Sequence, residues 1–203
     1  MLEMRSRSIG GFLSDLASAS PTPGGGSVAA LSGAIAADLG RMVCSLALKK
    51  SAKEELAALN DSFTVLEAEL LDLATADEQA FDSVMTAYGM DRADDGRAEA
   101  IARALQRATE VPLTTAERAV ALLDVLCRLA PLGTRHSISD VGVAAYMADA
   151  ALRSALLNVE VNLAYRQDQR ETDRLAVVAA GMRERASALV EQTIYQVQTR
   201  LTK

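Results

Sequence analysis

The chain has 203 residues, a formal net charge of −6, 50% hydrophobic residues and 24% charged ones, which is enough apolar material to bury a sizeable core. Only 3% of residues are aromatic and none is Trp, so Ala, Leu, Val and Met must fill that core, which suits close-packed helices better than sheets. The acidic balance argues against a sequence-independent nucleic-acid binder, which needs a basic face to displace counterions.

The two cysteines, Cys44 and Cys127, have neither metal-ligand spacing nor the numbers of a disulfide framework, so a reduced, cytoplasmic setting is expected. Near the start, Ile9, Phe12, Leu13 and Leu16 are too scattered for a signal-peptide core. Helical periodicity then runs almost from end to end. It predicts a first helix over Ile9 to Ala17, followed by an irregular turn, Ser20-Pro21-Thr22-Pro23-Gly24-Gly25-Gly26-Ser27. A second helix is predicted from about Ser27 to Lys50. Its stripe of Ala30, Gly33, Ala37, Gly40 and Cys44 would let another backbone approach closely. Asp38 and Arg41 interrupt its apolar run, which predicts a buried helix rather than a membrane span.

A third helix is expected from Lys53 to Tyr88, with the stripe Leu66, Leu70, Leu73, Phe81, Val84 and Tyr88. After a polar loop over Gly89 to Gly96, a fourth covers Ala98 to Thr109 and is broken at Val111-Pro112. A fifth runs from Thr114 to Ala130 and is ended by Pro131 and Gly133. A sixth, from Ile138 to Tyr165, is apolar on most sides and so central. A seventh carries Leu175, Val178, Met182, Leu189, Thr193 and Val197 on one face. The sequence thus predicts an all-α, single-domain bundle of about seven helices over residues 1–203. The small-residue stripe and the apolar sixth helix also predict a homodimer.

Asp77 falls in the apolar stripe of the third helix, between Leu73 or Ala74 and Phe81. A carboxylate there must be paired or have a raised pKa, which suits proton transfer; the alternative is a structural hydrogen-bonding Asp. Glu78 and Asp82, one turn apart, repel and are expected in solvent. The glycine segment opens a helix whose free amides can receive an anion or a carbonyl, or it is only a tight turn. It is neither a P-loop nor a dinucleotide fingerprint. Ser137-x-x-Asp140 is close to a capping box, and His136 beside it is the only histidine. Asn158 and Asn162 share a helix face, where buried amides need partners: the amide-like edge of a pterin, or a neighbouring helix. Asp140 and Asn158 are in phase on one helix but roughly 27 Å apart along it, so only a long ligand or a second subunit could join them.

In order along the chain, Ser20-Pro21-Thr22-Pro23-Gly24-Gly25-Gly26-Ser27-Val28-Ala29-Ala30, Asp77-Glu78-Gln79-Ala80-Phe81-Asp82, Ala108-Thr109-Glu110-Val111-Pro112-Leu113, Ser137-Ile138-Ser139-Asp140-Val141-Gly142-Val143 and Ala155 to Leu163 resemble the formiminotetrahydrofolate cyclodeaminase and methenyltetrahydrofolate cyclohydrolase family. Two positions depart from its pattern. Thr134 stands where the family usually has Asn, and Lys49-Lys50-Ser51 replaces a longer Gly-Lys-Lys-Lys stretch. The resemblance implies an all-α dimer acting on one-carbon units carried by tetrahydrofolate, with no metal or redox cofactor; the acidic balance and the interrupted apolar run predict no nucleic-acid and no membrane partner. One reaction converts 5-formimino-tetrahydrofolate to the 5,10-methenyl species and ammonia; the other hydrolyses the 5,10-methenyl species to 10-formyl-tetrahydrofolate. The implied roles are Asp77 as proton shuttle, Asp140 as a second or orienting carboxylate, and Pro23, Gly24, Gly25, Gly26, Ser27, Ser139, Asn158 and Asn162 as substrate-binding groups. Lys50, with Lys49 or Arg41, could meet the glutamate tail. The competing reading is a non-catalytic helical dimerisation or scaffold module, which would have no need of an acid within an apolar stripe.

Overall fold

The computed structural model describes residues 3–51, 53–166 and 168–202. After a single 3₁₀ turn at Met4–Ser6, six α-helices follow: α1 (Ile9–Leu16), α2 (Gly25–Leu48), α3 (Glu54–Gly89), α4 (Arg97–Leu129), α5 (Ile138–Arg166) and α6 (Gln169–Leu201). The all-α expectation holds, with one fewer helix than the sequence suggested.

The lost boundary is at Pro112. The sequence places a break there, yet α4 runs through it. Proline removes the amide that would bond to the carbonyl of Ala108, four residues back. Here the Asn162 side chain on α5 donates to that oxygen at 2.5 Å. The break is therefore satisfied from outside the helix, and Pro112 itself is buried.

Helix α2 sits between α3 and α5, and α4 closes the bundle behind them. The α2–α3 contact is antiparallel and stepped by seven residues. Gly26 faces Asp77, Gly33 faces Leu70 and Gly40 faces Phe63. Absent side chains on α2 let α3 approach closely. A Cβ on Gly40 would lie 2.6 Å from the Phe63 ring, and one on Gly33 would lie 3.1 Å from Leu70. The small-residue stripe is thus consumed within the chain, and it does not supply the dimer surface expected of it. It also explains how a helix long and apolar enough to cross a membrane is used here, since Ala30, Ala36, Ala37, Val43 and Cys44 are sealed inside the bundle.

Helix α5 runs antiparallel to α2, with Asn158 near Gly25 and Ala151 near Gly33. Its inner side (Ala144, Ala148, Ala151, Leu152, Ala155, Leu156) is fully buried. Its outer side is not: Val143, Tyr146, Leu157, Val161 and Tyr165 are exposed. Helix α6 packs outside α4 and α5. Asp168 caps its start by accepting the Glu171 amide at 3.1 Å. Arg200, in its last turn, donates to the carbonyls of Pro131 and Gly133 in the α4–α5 turn.

The N-terminal segment is clamped to α3. The Met4 amide donates to Thr75, Arg5 pairs with Glu67, and Arg7 makes a two-point contact with Glu78 at 2.9 and 3.1 Å. Glu78 is 2% exposed, which corrects the expectation that it is solvated. Its phase on α3 turns it under the N-terminal segment, where Arg7 compensates its charge. Asp82 is exposed, as expected.

Candidate active site

The α2–α3 glycine seam has one polar layer. Phe63 and Leu70 fill the space opposite Gly40 and Gly33, but opposite Gly26 stands a carboxylate. The Ser27 hydroxyl, itself fully buried, donates to Asp77 Oδ2 at 3.0 Å. The Ser27 backbone amide also bonds to this carboxylate. Asp77 thus sits at the start of α2, where free amides and the helix dipole favour negative charge. Burial nevertheless dominates and pushes the Asp77 carboxyl above the ordinary aspartate range, with the Ser27 bonds pulling the other way.

Gly26 makes this placement possible. A Cβ there would lie 2.0 Å from Asp77 Oδ1. Gly24 is the N-cap of α2 and has no side chain to cap the helix, so the first-turn amide of Ser27 is met from α3 by Asp77. Gly25 has room, since a Cβ would make only an ordinary 3.7 Å contact with Asn158. Pro23 follows a cis peptide bond and is buried beneath the turn.

Asp77 opens into a cavity of about 400 Å³ between the start of α2, the second half of α3, the first half of α4 and the end of α5. Gly24, Gly25 and Gly26 form one wall, and Asn158 and Asn162 another. Phe81, Val84, Met85, Tyr88, Leu105 and Tyr165 supply an apolar lining. A mostly apolar cleft with a few convergent polar groups has the character of a small-molecule site. Pro23 and Ser27 stand behind the wall rather than in it. The sequence pattern assigned Phe81, Val84 and Tyr88 to the core. They lie on the correct stripe, but the stripe leaves the core after Asp77 and lines the cavity. Met85 and Tyr165 also line the cavity; the sequence signal for them is their helical spacing, four residues after Phe81 and seven after Asn158.

Three expected residues lie elsewhere. Asp140 and Ser139 are in the first turn of α5, and Lys50 follows the end of α2. Asn158 lies about 27 Å along α5 from Asp140, so these residues do not reach the Asp77 cavity of the same chain. Lys50 instead lines a second depression with Lys53, Thr134 and Arg135. Near it, Ser137 and Thr134 share a hydroxyl–hydroxyl bond of 2.8 Å, so the serine expected to cap α5 is engaged by the residue that departs from the family pattern.

A helical bundle in which a half-buried carboxylate meets the start of a neighbouring helix beside a mostly apolar cleft has the form of a small-molecule enzyme domain. Comparison with known proteins makes this specific: residues 8–180 match the sequence profile of formiminotransferase-cyclodeaminase, and the chain belongs to that family. It is 38% identical over 200 residues to the methenyltetrahydrofolate cyclohydrolase of Methylorubrum extorquens, covering 94% of this chain and 95% of that one. It is 32% identical over 189 residues to the formimidoyltransferase-cyclodeaminase of Sus scrofa, covering 89% of this chain and 34% of that longer protein. The crystal structure of formiminotetrahydrofolate cyclodeaminase from Thermotoga maritima superposes with a TM-score of 0.80 at 28% identity, covering 98% of each chain.

Proposed function

We propose that this protein hydrolyses 5,10-methenyl-tetrahydrofolate to 10-formyl-tetrahydrofolate, with Asp77 as the proton-transferring group. The carrying observation is the Asp77–Ser27–Gly26 arrangement, a carboxylate of raised pKa at the mouth of a helix start, beside a cavity sized for a pterin. The end-to-end likeness to a stand-alone cyclohydrolase favours this reaction. The fold shared with the Thermotoga enzyme favours cyclodeamination as the second reading. Both reactions belong to one-carbon folate chemistry and place the same demands on the site.

The methenyl bridge is a cationic amidinium, so an ionised Asp77 offsets the cost of bringing it into an apolar cavity. Asp77 then takes the proton of a water attacking the bridge carbon. The resulting tetrahedral carbon carries an oxygen that an uncapped amide at the start of α2 can receive. Asp77 returns that proton to N5 and, as the C–N5 bond breaks, takes the hydroxyl proton of the tetrahedral carbon and passes it to solvent, leaving the formyl group on N10. In the deaminase direction N10 is the nucleophile, and the same carboxyl protonates the departing ammonia. The raised pKa of Asp77 suits both halves of the cycle. No step draws on a metal or a redox cofactor. The reading carries a cytoplasmic setting with it.

The reading extends to a homodimer. Ile35, Met42 and Leu46 on α2 and Val143, Tyr146, Leu157 and Val161 on α5 are exposed and apolar, more than an isolated protein usually leaves in water. A two-fold axis across the middle of this face would swap its ends. It would bring Lys50, Ser139 and Asp140 of one protomer towards the Asp77 cavity of the other, and so gives these three residues a role in tail binding and orientation.

The decisive experiment is Asp77→Asn, assayed in both reactions. Turnover should fall by roughly 10²-fold or more, the scale of a lost general acid or base, with reduced-folate affinity and melting temperature near normal. A folded Asp77→Asn protein with wild-type turnover in both assays would remove Asp77 from the mechanism.

A further inference from the structure

Pro112 and Asn162 are far apart in sequence and meet at one atom. Proline leaves the Ala108 carbonyl without its helical donor and pushes it outward. Asn162 Nδ2 donates to that oxygen at 2.5 Å, and both Ala108 and Asn162 line the cavity. An asparagine amide is ordinarily free to turn end for end, because its oxygen and nitrogen ends are nearly equal in shape. Here it is not free. Turning it would set two oxygens against each other across the α4–α5 contact and leave Ala108 unsatisfied. Asn158, one turn earlier, is similarly committed, because its Nδ2 donates to Ser154 at 2.9 Å.

We propose that Pro112 acts as a specificity-setting residue through Asn162: the Ala108 carbonyl it frees engages one N–H of the amide and so holds its orientation, which fixes Asn162 Oδ1 as a hydrogen-bond acceptor in the cavity and selects ligands that present N–H groups to α5. The partner edge is the aminopyrimidinone of a reduced pterin, with its ring N–H and exocyclic amine. The inference rests on the folate reading for its ligand but not for its mechanism, which is a property of the α4–α5 contact alone. It gives the proline a purpose. The backbone hydrogen bond that Pro112 costs α4 frees a carbonyl that orients a recognition group on the neighbouring helix.

The test separates the contact from the ligand. Melting temperatures of Asn162→Ala, Pro112→Ala and the double variant form one cycle. Restoring an amide at position 112 gives Ala108 a donor within α4, so Asn162→Ala should lower the melting temperature clearly in the wild-type background and much less in the Pro112→Ala background. Equal losses in both backgrounds would overturn the proline–asparagine link. The second measurement is binding of 5-formyl-tetrahydrofolate and of its 2-desamino-2-methyl analogue, which lacks the exocyclic donor. Wild type should prefer the parent compound by roughly tenfold or more, the scale of one unmatched buried polar group. Asn162→Ala should lose most of that preference, and Pro112→Ala, with its amide free to turn, should lose part of it while remaining well folded. Undiminished preference in Asn162→Ala would overturn the recognition role. If neither compound binds wild type, the folate reading and the recognition role fall together, and a positive thermal cycle still establishes that Pro112 orients Asn162.

Discussion

Replacing Gly26 with Ala should damage catalysis far more than folding, and the structure supplies both magnitudes. The new methyl would stand 2.0 Å from Asp77 Oδ1, against an optimal separation of about 3.5–4.0 Å for non-bonded atoms. Asp77 must therefore rotate, or α2 and α3 must separate. Rotation forfeits the 3.0 Å bond from Ser27, and a hydrogen bond to a charged group is worth about 1.5–3 kcal/mol. Against this, alanine is favoured over glycine in a helix by up to about 1 kcal/mol. The net loss should be about 1 kcal/mol, a few degrees in melting temperature for a chain of this size. The catalytic loss is larger, because displacing a reacting group by about 1 Å costs on the order of 10²-fold. The assay is the loss of methenyl-tetrahydrofolate absorbance, read beside a thermal melt. Gly25→Ala is the control. Its methyl meets Asn158 at 3.7 Å, so it should raise KM modestly, leave kcat within a few-fold and leave the melting temperature unchanged or higher. A Gly26→Ala enzyme with unchanged kcat would refute the claim that the close approach of α2 to Asp77 sets the catalytic geometry.

Other outcomes follow from the same structure. Because burial raises the Asp77 pKa in the folded protein, protonated Asp77 contributes stability that is present below the unfolded value of about 3.9 and lost as pH rises through the folded one. Asp77→Asn, which cannot ionise, should therefore melt at or above wild type at pH 7, with the gap closing towards pH 4; a gap in favour of wild type at pH 7 would contradict this sign. Arg7→Met leaves Glu78 buried without its cation and should cost about 3 kcal/mol, while Arg7→Met with Glu78→Met should recover most of it in denaturant titrations. Light scattering at micromolar concentration should give a dimer. Mixing Asp77→Asn with Asp140→Asn protomers should restore activity to about a quarter of wild type, since half the dimers then carry one intact shared site; no recovery after proven subunit exchange would place Asp140 outside the site. Cys44, whose thiol burial pushes up to about 11, should resist alkylation in the native protein.

Much of this protein could be read from its sequence because helices announce themselves locally. The 3.6-residue period located the helical segments, with α4 read as two pieces either side of Pro112, and the interruption of one apolar stripe by Asp77 pointed to a residue of the cavity. The ordered motifs carried the family. The sequence could not say what faces what. Gly26, Gly33 and Gly40 are a seven-residue series, but only packing shows that Asp77, Leu70 and Phe63 are its counterparts, and therefore that Gly26 rather than Gly25 is the position a side chain cannot enter. Glu78 looked like a solvated neighbour of Asp82 until the N-terminal segment folded over it and brought Arg7. Pro112 looked like a helix end because the rule for proline considers one helix at a time. The donor that lets α4 continue comes from Asn162, fifty residues later and on another helix. Local periodicity is fixed by covalent geometry and side-chain polarity, so the sequence determines it alone. Burial of a charge, satisfaction of a lone carbonyl and the clearance around a glycine depend on atoms from distant segments, and only the tertiary structure decides them.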